Sequence, residues 1–315
     1  MNIAITRYSL FALICFLQGC DDSTQPEMPE QSRYYFSNVT GDDLFFTLNG
    51  KNIHAAHQES GMLYLPVGLN HLETPQGQSI QFIAYPGNSG GIINPSRARY
   101  YSYTIYDDEM LHSPAFNSLV KQFEFDGHYY QGPLRTSNAE LIDNNIFKCR
   151  YPGEVADVKA ELESYVAGKK GMLTICFNEP EFRQFLKYHP RGVRLLPENT
   201  IITPDQNAEI AFTYRLRDFN FADPQLQQGE KEIAAILTEY QHQKDVNKKR
   251  GLYNRYHAVL MSMAQCYRQA ALRREKDNTA EKEESRKFSD FIQESGEIFG
   301  AGILPLTEDD LPPAH

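Results

Sequence analysis

Residues 43–56 read DLFFTLNGKNIHAA, with two short runs rich in apolar residues on either side of Asn49-Gly50. An Asn-Gly pair favours the positive backbone φ angles of a two-residue hairpin turn, so this stretch predicts two antiparallel strands. Further short apolar and aromatic runs follow, separated by proline and glycine turns at 66–68 and 75–77. Strands at this spacing predict an antiparallel β-sandwich-like domain over residues 34–135.

The segment that follows, residues 136–228, mixes helical and strand patterns. Residues 154–168 carry apolar side chains three or four positions apart, which predicts a helix. Residues 171–177 predict a strand, and residues 178–190 predict a short helix with an asparagine N-cap. Residues 208–219 alternate between apolar and polar side chains, which predicts a half-buried strand. The segment is therefore expected to be mixed α/β.

The last third of the chain, residues 229–305, carries three one-sided apolar stripes at helical spacing. We expect a helical hairpin or bundle here, with turns at 248–251 and 277–279. Residues 306–315 are acidic and contain prolines, which predicts a loose tail. The expected class of the whole chain is α+β, with the sheet structure first and the helices last.

The acidic balance of the chain excludes two classes of partner. The chain holds 31 Lys and Arg against 41 Asp and Glu, which gives a formal net charge of −10. This excess of carboxylates argues against nucleic acid as a partner and against electrostatic binding to anionic lipid headgroups. A hydrophobic share of 41%, including 19 Phe and 19 Tyr, is sufficient for a packed core.

The first twenty residues, MNIAITRYSLFALICFLQGC, have the layout of a secretory signal peptide, with Arg7 before an uncharged apolar run over residues 8–17. The run is about half the length that a membrane span needs. Its ending, LQGC, resembles the lipobox of bacterial lipoproteins. The resemblance implies that residues 1–19 are removed and that Cys20 is lipidated; an ordinary cleaved signal is the alternative.

Residues 20–33 are polar and contain two prolines, so they predict a flexible, lipidated tether. Asp21 directly follows the lipidated cysteine. By resemblance to enteric lipoproteins, an aspartate at this position implies retention at the inner membrane, on its periplasmic side. The outer membrane remains the alternative location.

Besides Cys20, three cysteines remain in the expected mature chain. Cys149 and Cys176 lie in separate short apolar segments and would be free to form a disulfide in an oxidising periplasm, although the sequence also allows them to stay unpaired. Cys266 lies on an apolar helical stripe, where a thiol is usually inert. None of the three has C-x-x-C or C-x-x-H spacing, so no metal site is expected.

One stretch carries a catalytic signal. Residues 87–91, GNSGG, look like the nucleophile loop of trypsin-like serine proteases, with Ser89 as the nucleophile. The order of histidine, aspartate and serine in that family is missing, so a glycine-rich hairpin loop is the alternative that we prefer. The chain also lacks an H-E-x-x-H motif and a Walker loop. We therefore expect no enzymatic activity and no cofactor.

A cluster of tyrosines is the most suggestive feature for binding. At alternating strand positions these rings would lie on both faces of a sheet, so that one set fills the core and the other grips a protein partner. Stacking on sugar rings and burial of all the rings are the alternatives. The cluster comprises Tyr100, Tyr101, Tyr103 and Tyr106.

The chain is expected to be exported and lacks a complete set of catalytic residues. We therefore expect its function to be binding to another molecule. In size, lipobox and acidic balance the chain resembles the immunity lipoproteins that bacteria encode beside secreted antibacterial lipases of type VI-like systems. The resemblance implies a cognate lipase toxin as partner and occlusion of its active site. A structural or assembly lipoprotein of an envelope or secretion complex, a carbohydrate-binding lipoprotein, and a serine hydrolase using Ser89 are the alternatives.

Overall fold

The computed structural model describes residues 31–86, 91–105, 119–143, 146, 149, 173–204, 206–273 and 279–306. The fold is α+β, with the sheets in the N-terminal half and the helices towards the C-terminus, as the sequence predicts. The predicted helix at 154–168, the leader and most of the tether and tail lie outside the described residues.

The described residues form thirteen strands and four helices. In chain order these are β1 (Gln31–Ser37), β2 (Leu44–Leu48), β3 (Lys51–Ala55), β4 (Ser60–Pro66), β5 (Gly68–Glu73), β6 (Ser79–Ala84), β7 (Gly91–Ile93), β8 (Tyr100–Ile105), β9 (Val120–Phe125), β10 (His128–Ser137), β11 (Leu141–Ile142), β12 (Leu173–Phe177), α1 (Glu179–Leu186), β13 (Arg194–Leu195), α2 (Pro224–Tyr240), α3 (Val246–Arg273) and α4 (Thr279–Phe299).

The strands form three sheets. The first sheet has the order β11-β7-β1-β4, and the hairpin sheet has the order β3-β2-β5-β6. The third sheet has the order β12-β8-β10-β13, with β9 paired to β10. The described pairs are antiparallel except for β1 and β7, which run parallel. The sheets are therefore antiparallel, as predicted, apart from this one pair.

The hairpin at residues 43–56 forms as predicted. β2 and β3 pair from Leu44 opposite Ala55 to Leu48 opposite Lys51. Asn49 and Gly50 join them with φ angles of 52° and 73°. Both central residues of the turn have positive φ, which is the geometry that matches the twist of a two-residue hairpin.

The first sheet and the hairpin sheet pack face to face and form the predicted sandwich. Their shared core is built from the inward side chains of both sheets, in keeping with the alternation of each strand. β1 begins at Gln31, so residues 31–33 belong to a strand and not to the predicted tether. The core residues are Tyr34, Phe36, Leu44, Phe46, Leu48, Ala55, Leu65, Leu72, Ile80, Phe82, Ala84, Ile93 and Leu141.

The third sheet packs against α1 through an aromatic core. Asn178 is the N-cap of α1: its side chain accepts the backbone N–H of Glu181, and the Glu181 carboxylate accepts the Asn178 N–H. This reciprocal capping box fixes the start of the helix. Phe182 and Phe185 are then buried against the sheet. The predicted strand at 171–177 is present as β12.

The predicted start of the helical region was wrong by five residues. α2 starts at Pro224 because the Asp223 carboxylate accepts the N–H groups of Gln225 and Leu226. Aspartate at the N-cap followed by proline is a strong start signal.

The predicted turn at 248–251 was also wrong, because α3 already starts at Val246. The Asp245 carboxylate accepts the N–H groups of Asn247 and Lys248, each at 2.9 Å, and so caps the helix. The turn lies instead between Tyr240, where α2 ends, and Val246. At the crossing of the two helices Gly229 leaves room for the side chain of Met263.

Residues 208–219 do not form the predicted strand. Residues 206–210 make single backbone bridges to β9 and β10, and the chain then leaves the sheet. The alternation has another cause, because Phe212, Tyr214 and Leu216 pack onto the core between the helices. Packing against helices therefore accounts for the one-sided apolar pattern, and no neighbouring strand is needed to explain it.

The sheets do not follow the predicted boundaries at 135 and 228. β11 completes the first sheet and β12 pairs with β8, so residues beyond 135 extend both sheets. Ile303 after α4 bridges back to Phe82 of β6. Among the described helices, none is long and apolar enough to cross a membrane.

Candidate functional site

The outer face of the hairpin sheet carries the best candidate for a binding site. In β2 the side chains alternate, so that Leu44, Phe46 and Leu48 are buried in the sandwich. Phe45 lies on the opposite face and is 62% exposed. A large aromatic side chain on the solvent face of a regular strand contributes little to the core and offers apolar contact area to a partner.

The ring of Phe45 is held in place by its cross-strand neighbour. His54 lies directly opposite on β3, with the ring centroids 4.7 Å apart and the planes inclined by 15°. Nε2 of His54 donates to the Asp43 carboxylate at 2.8 Å, and that carboxylate also accepts the N–H of His57. The pKa of Asp43 is lowered mainly by the hydrogen bond from His54 and, to a smaller extent, by the hydrogen bond from the His57 N–H. Phe45 is thus ordered before any partner arrives, which reduces the entropy cost of binding.

A row of polar side chains crosses the sheet beside Phe45. Thr47 lies opposite Asn52 on one side and opposite Glu73 on the other, and Glu73 lies opposite Ser79 on β6. Together with the aromatic ring they line an open groove of about 400 Å³. The groove combines an aromatic wall with a floor of hydroxyl, amide and carboxylate groups.

This combination is suited to binding. An exposed aromatic ring supplies apolar contact area, and the Glu73 carboxylate can accept hydrogen bonds from a basic side chain placed beside the ring. Asp43 and His54 form an exposed pair, but among the described residues no nucleophile stands next to His54 to make it a catalytic base. No group of three or more metal-ligating side chains occurs in the described part of the chain.

The signal for this site was present in the sequence. The run DLFFTL places two adjacent phenylalanines in a strand, and period-two alternation must turn one of them to each face. The sequence does not single out Phe45 as a binding residue, because a sequence alone does not say whether a second layer covers the outer face.

The described tyrosines of the predicted cluster do not form a binding surface. Tyr100, Tyr101 and Tyr103 are 0%, 3% and 2% exposed, and both faces of β8 are covered. Tyr101 stacks on Phe182 of α1, with ring centroids 4.2 Å apart, while Tyr100 packs between the first and third sheets. The expectation of exposed rings was wrong for these three residues because α1 and the first sheet cover opposite faces of the strand. Tyr106 lies outside the described residues.

Cys149 and Cys176 form a disulfide, with Cα atoms 5.6 Å apart. Cys266 is a free, half-buried thiol. The other residues to which the sequence assigned roles, Cys20, Asp21 and Ser89, lie outside the described residues.

A second group of chemically unusual side chains is buried where the sandwich meets the helices. Lys249 of α3 is fully buried, and its Nζ donates to the backbone oxygen of Tyr240 at 3.2 Å. The same Nζ lies 4.2 Å from the Tyr240 ring centroid and 5.8 Å from that of Tyr214. Loss of hydration lowers the pKa of Lys249 to about 7, although the negative charge of Asp143 opposes this shift.

The partners of this buried cluster include backbone groups at the end of α4 and in the segment that follows it. The Tyr240 hydroxyl donates to the Phe299 oxygen at 2.6 Å, and Asp143 accepts the N–H of Gly302 at 2.9 Å. Burial raises the pKa of Tyr240 and of Tyr85, whose hydroxyls are 2.8 Å apart. These bonds tie the C-terminal segment to the sandwich, so we assign the cluster a structural role.

Comparison of the chain with protein-family models, with curated proteins and with solved structures gave no match. The site must therefore be judged on its own geometry.

Proposed function

We propose that the protein is a membrane-anchored periplasmic binding protein without catalytic activity, and that it neutralises a secreted lipase effector of a type VI-like system. Inhibition would occur by occlusion, with the outer face of the hairpin sheet covering the active-site mouth of the lipase. The observation that carries the proposal is the exposed, pre-ordered ring of Phe45 beside the polar groove.

The chemistry of the groove suits a protein partner. Hot spots of protein interfaces are centred on aromatic anchors that are surrounded by groups able to form hydrogen bonds. Glu73 and Asp43 lie on either side of Phe45 in the hairpin sheet and add negative charge. A chain with a net charge of −10 would be steered towards a partner surface that carries basic side chains.

The Cys149–Cys176 disulfide supports an extracytoplasmic location. Disulfides persist in the periplasm and are rare in the cytosol, where thiols are kept reduced. The proposed anchor is the lipid on Cys20, with Asp21 favouring retention at the inner membrane. Such an anchor would hold the binding face near the membrane that a lipase attacks.

A survival assay in cells tests the proposal. Cells that export the lipase encoded by the neighbouring gene into their own periplasm are expected to survive when they also make this protein. The Phe45→Ala variant is expected to protect poorly. Tyr188→Ala is the matched control, since Tyr188 is also an aromatic residue, 55% exposed, but lies just after α1, outside the hairpin sheet.

The outcomes of this assay separate the parts of the proposal. If the wild-type protein gives no protection, the immunity function is wrong. If Phe45→Ala and Tyr188→Ala protect as well as the wild type, the protein is an immunity protein that binds through another surface.

One observation favours a carbohydrate-binding lipoprotein as the second candidate. Sugar rings stack on exposed aromatic side chains and bond to carboxylate and amide groups, and the groove offers Phe45 beside Asn52 and Glu73. A glycan array probed with the purified protein, with Phe45→Ala as the control, tests this candidate. A structural role in an envelope complex would instead show as co-purification with membrane machinery.

A further inference from the structure

The outer edge of the first sheet is formed by β4. This strand pairs with β1 along its whole length, from Ser60 to Pro66, and no other described strand pairs with it. Residues 60–66 carry no charged side chain, while Met62 is 41% and Tyr64 is 63% exposed. Native sheets usually protect such an edge with lysines, inward charges or covering loops, because an open edge pairs with other strands.

The register of β1 and β4 shows which backbone groups are free to pair. The Asn38 N–H donates to the Glu59 oxygen at 2.7 Å, in line with the register of the two strands. Hydrogen-bonded pairs alternate along an antiparallel ladder, so the odd-numbered positions of β4 bond to β1. The N–H and C=O groups of the even-numbered positions therefore point away from the sheet, and these belong to Ser60, Met62 and Tyr64.

The side chains of the first sheet continue an apolar row out to this edge. Ile142, Ile92, Tyr35 and Met62 are cross-strand neighbours on successive strands. The first three are buried, packed on Tyr100 and Cys176 of the third sheet. Met62 continues the same row and has no such cover among the described residues, so the apolar face ends in an uncovered edge.

We propose that β4 pairs antiparallel with β4 of a second copy of this chain, with Met62 at the two-fold axis. In this register Ser60 lies opposite the second copy's Tyr64, and the three outward positions form about six ladder hydrogen bonds. Pro66, which has no N–H, falls outside the paired stretch. A two-fold axis makes this contact self-complementary.

The charge distribution favours a second copy over a basic partner. Two copies with a net charge of −10 each repel one another, and an uncharged strand is where they can approach at least cost. The same strand offers no carboxylate to a basic partner, in contrast to the hairpin sheet. The dimer contact and the lipase contact are therefore separate surfaces.

Cysteine cross-linking of the full chain in the membrane of the producing cell tests the dimer. In a Cys266→Ala background, Met62→Cys is expected to give a disulfide-linked dimer, because paired Cα atoms about 5.5 Å apart suit a disulfide. Arg33→Cys is the matched control. Arg33 is exposed on the same face but lies one strand inward and opposite Tyr64, so its two copies would be about 20 Å apart and give no dimer.

A second variant tests the interface by repulsion. Met62→Lys would place two like charges at the axis, so loss of the native dimer in sedimentation of the detergent-purified protein is expected. The proposal is overturned if Met62→Cys gives no dimer, or if it cross-links to a different protein in place of a second copy. It is also overturned if Met62→Lys leaves the sedimenting species unchanged.

Discussion

At the residue scale, the buried ammonium group of Lys249 makes the stability of the protein depend on pH. Its pKa is about 7 in the folded protein against an ordinary value near 10.5. Between these values the unfolded chain binds a proton that the folded chain does not, so the free energy of unfolding rises with pH by up to about 1.4 kcal/mol per unit. Below pH 7 both states are protonated and this contribution is constant.

Lys249→Met is the variant that isolates the effect. Urea unfolding of wild type and variant between pH 7 and 9.5 should give a difference in unfolding free energy that moves in favour of the wild type as pH rises. Parallel pH profiles for the two proteins would show that Lys249 keeps its proton in the core through the bond to Tyr240 and the nearby rings.

The burial of Lys249 was beyond the reach of sequence reasoning. The run Lys248-Lys249-Arg250-Gly251 has the composition of an exposed turn, and that interpretation was wrong. The Asp245 cap starts the helix early and so turns one of three adjacent cations inward onto Tyr240. A local pattern shows charge, but the burial of a charge depends on contacts from distant parts of the chain.

At the scale of elements, the hairpin turn is the feature that local sequence predicted best. Gly50→Ala is expected to lower the free energy of unfolding by about 1 kcal/mol, since φ at Gly50 is 73° and side chains strain this conformation. Gly41→Ala is the control, because Gly41 has open space around its Cα and no positive φ. Equal stability of the two variants in urea would contradict the role of the turn.

Elements that depend on local rules were predictable, and those that depend on neighbours were not. The Asn178 cap, β12 and the Asn49-Gly50 turn follow from local preferences. Residues 208–219 alternate between apolar and polar side chains, as in a strand, but the apolar side chains pack against helices and not within a sheet. For the same reason the sequence showed an aromatic run at 100–106 but could not show that α1 covers it.

At the scale of the whole molecule, the disulfide joins Cys176 of β12, in the third sheet, to a segment 27 residues earlier in the chain. Opening it is expected to cost about 3 kcal/mol of stability through the freedom that the unfolded chain regains. Urea unfolding of the wild type with and without a reductant measures this cost. The Cys149→Ala, Cys176→Ala double variant is the control and should not respond to the reductant.

The most direct measurement of the central proposal is a titration of the purified product of the neighbouring gene, which the proposal predicts to be a lipase, with the detergent-purified protein. Lipase activity should fall to background near one equivalent, and Phe45→Ala should weaken binding by about 2 kcal/mol, roughly thirtyfold in Kd, while Tyr188→Ala should bind as the wild type. Full lipase activity in the presence of excess wild-type protein would contradict the proposed function.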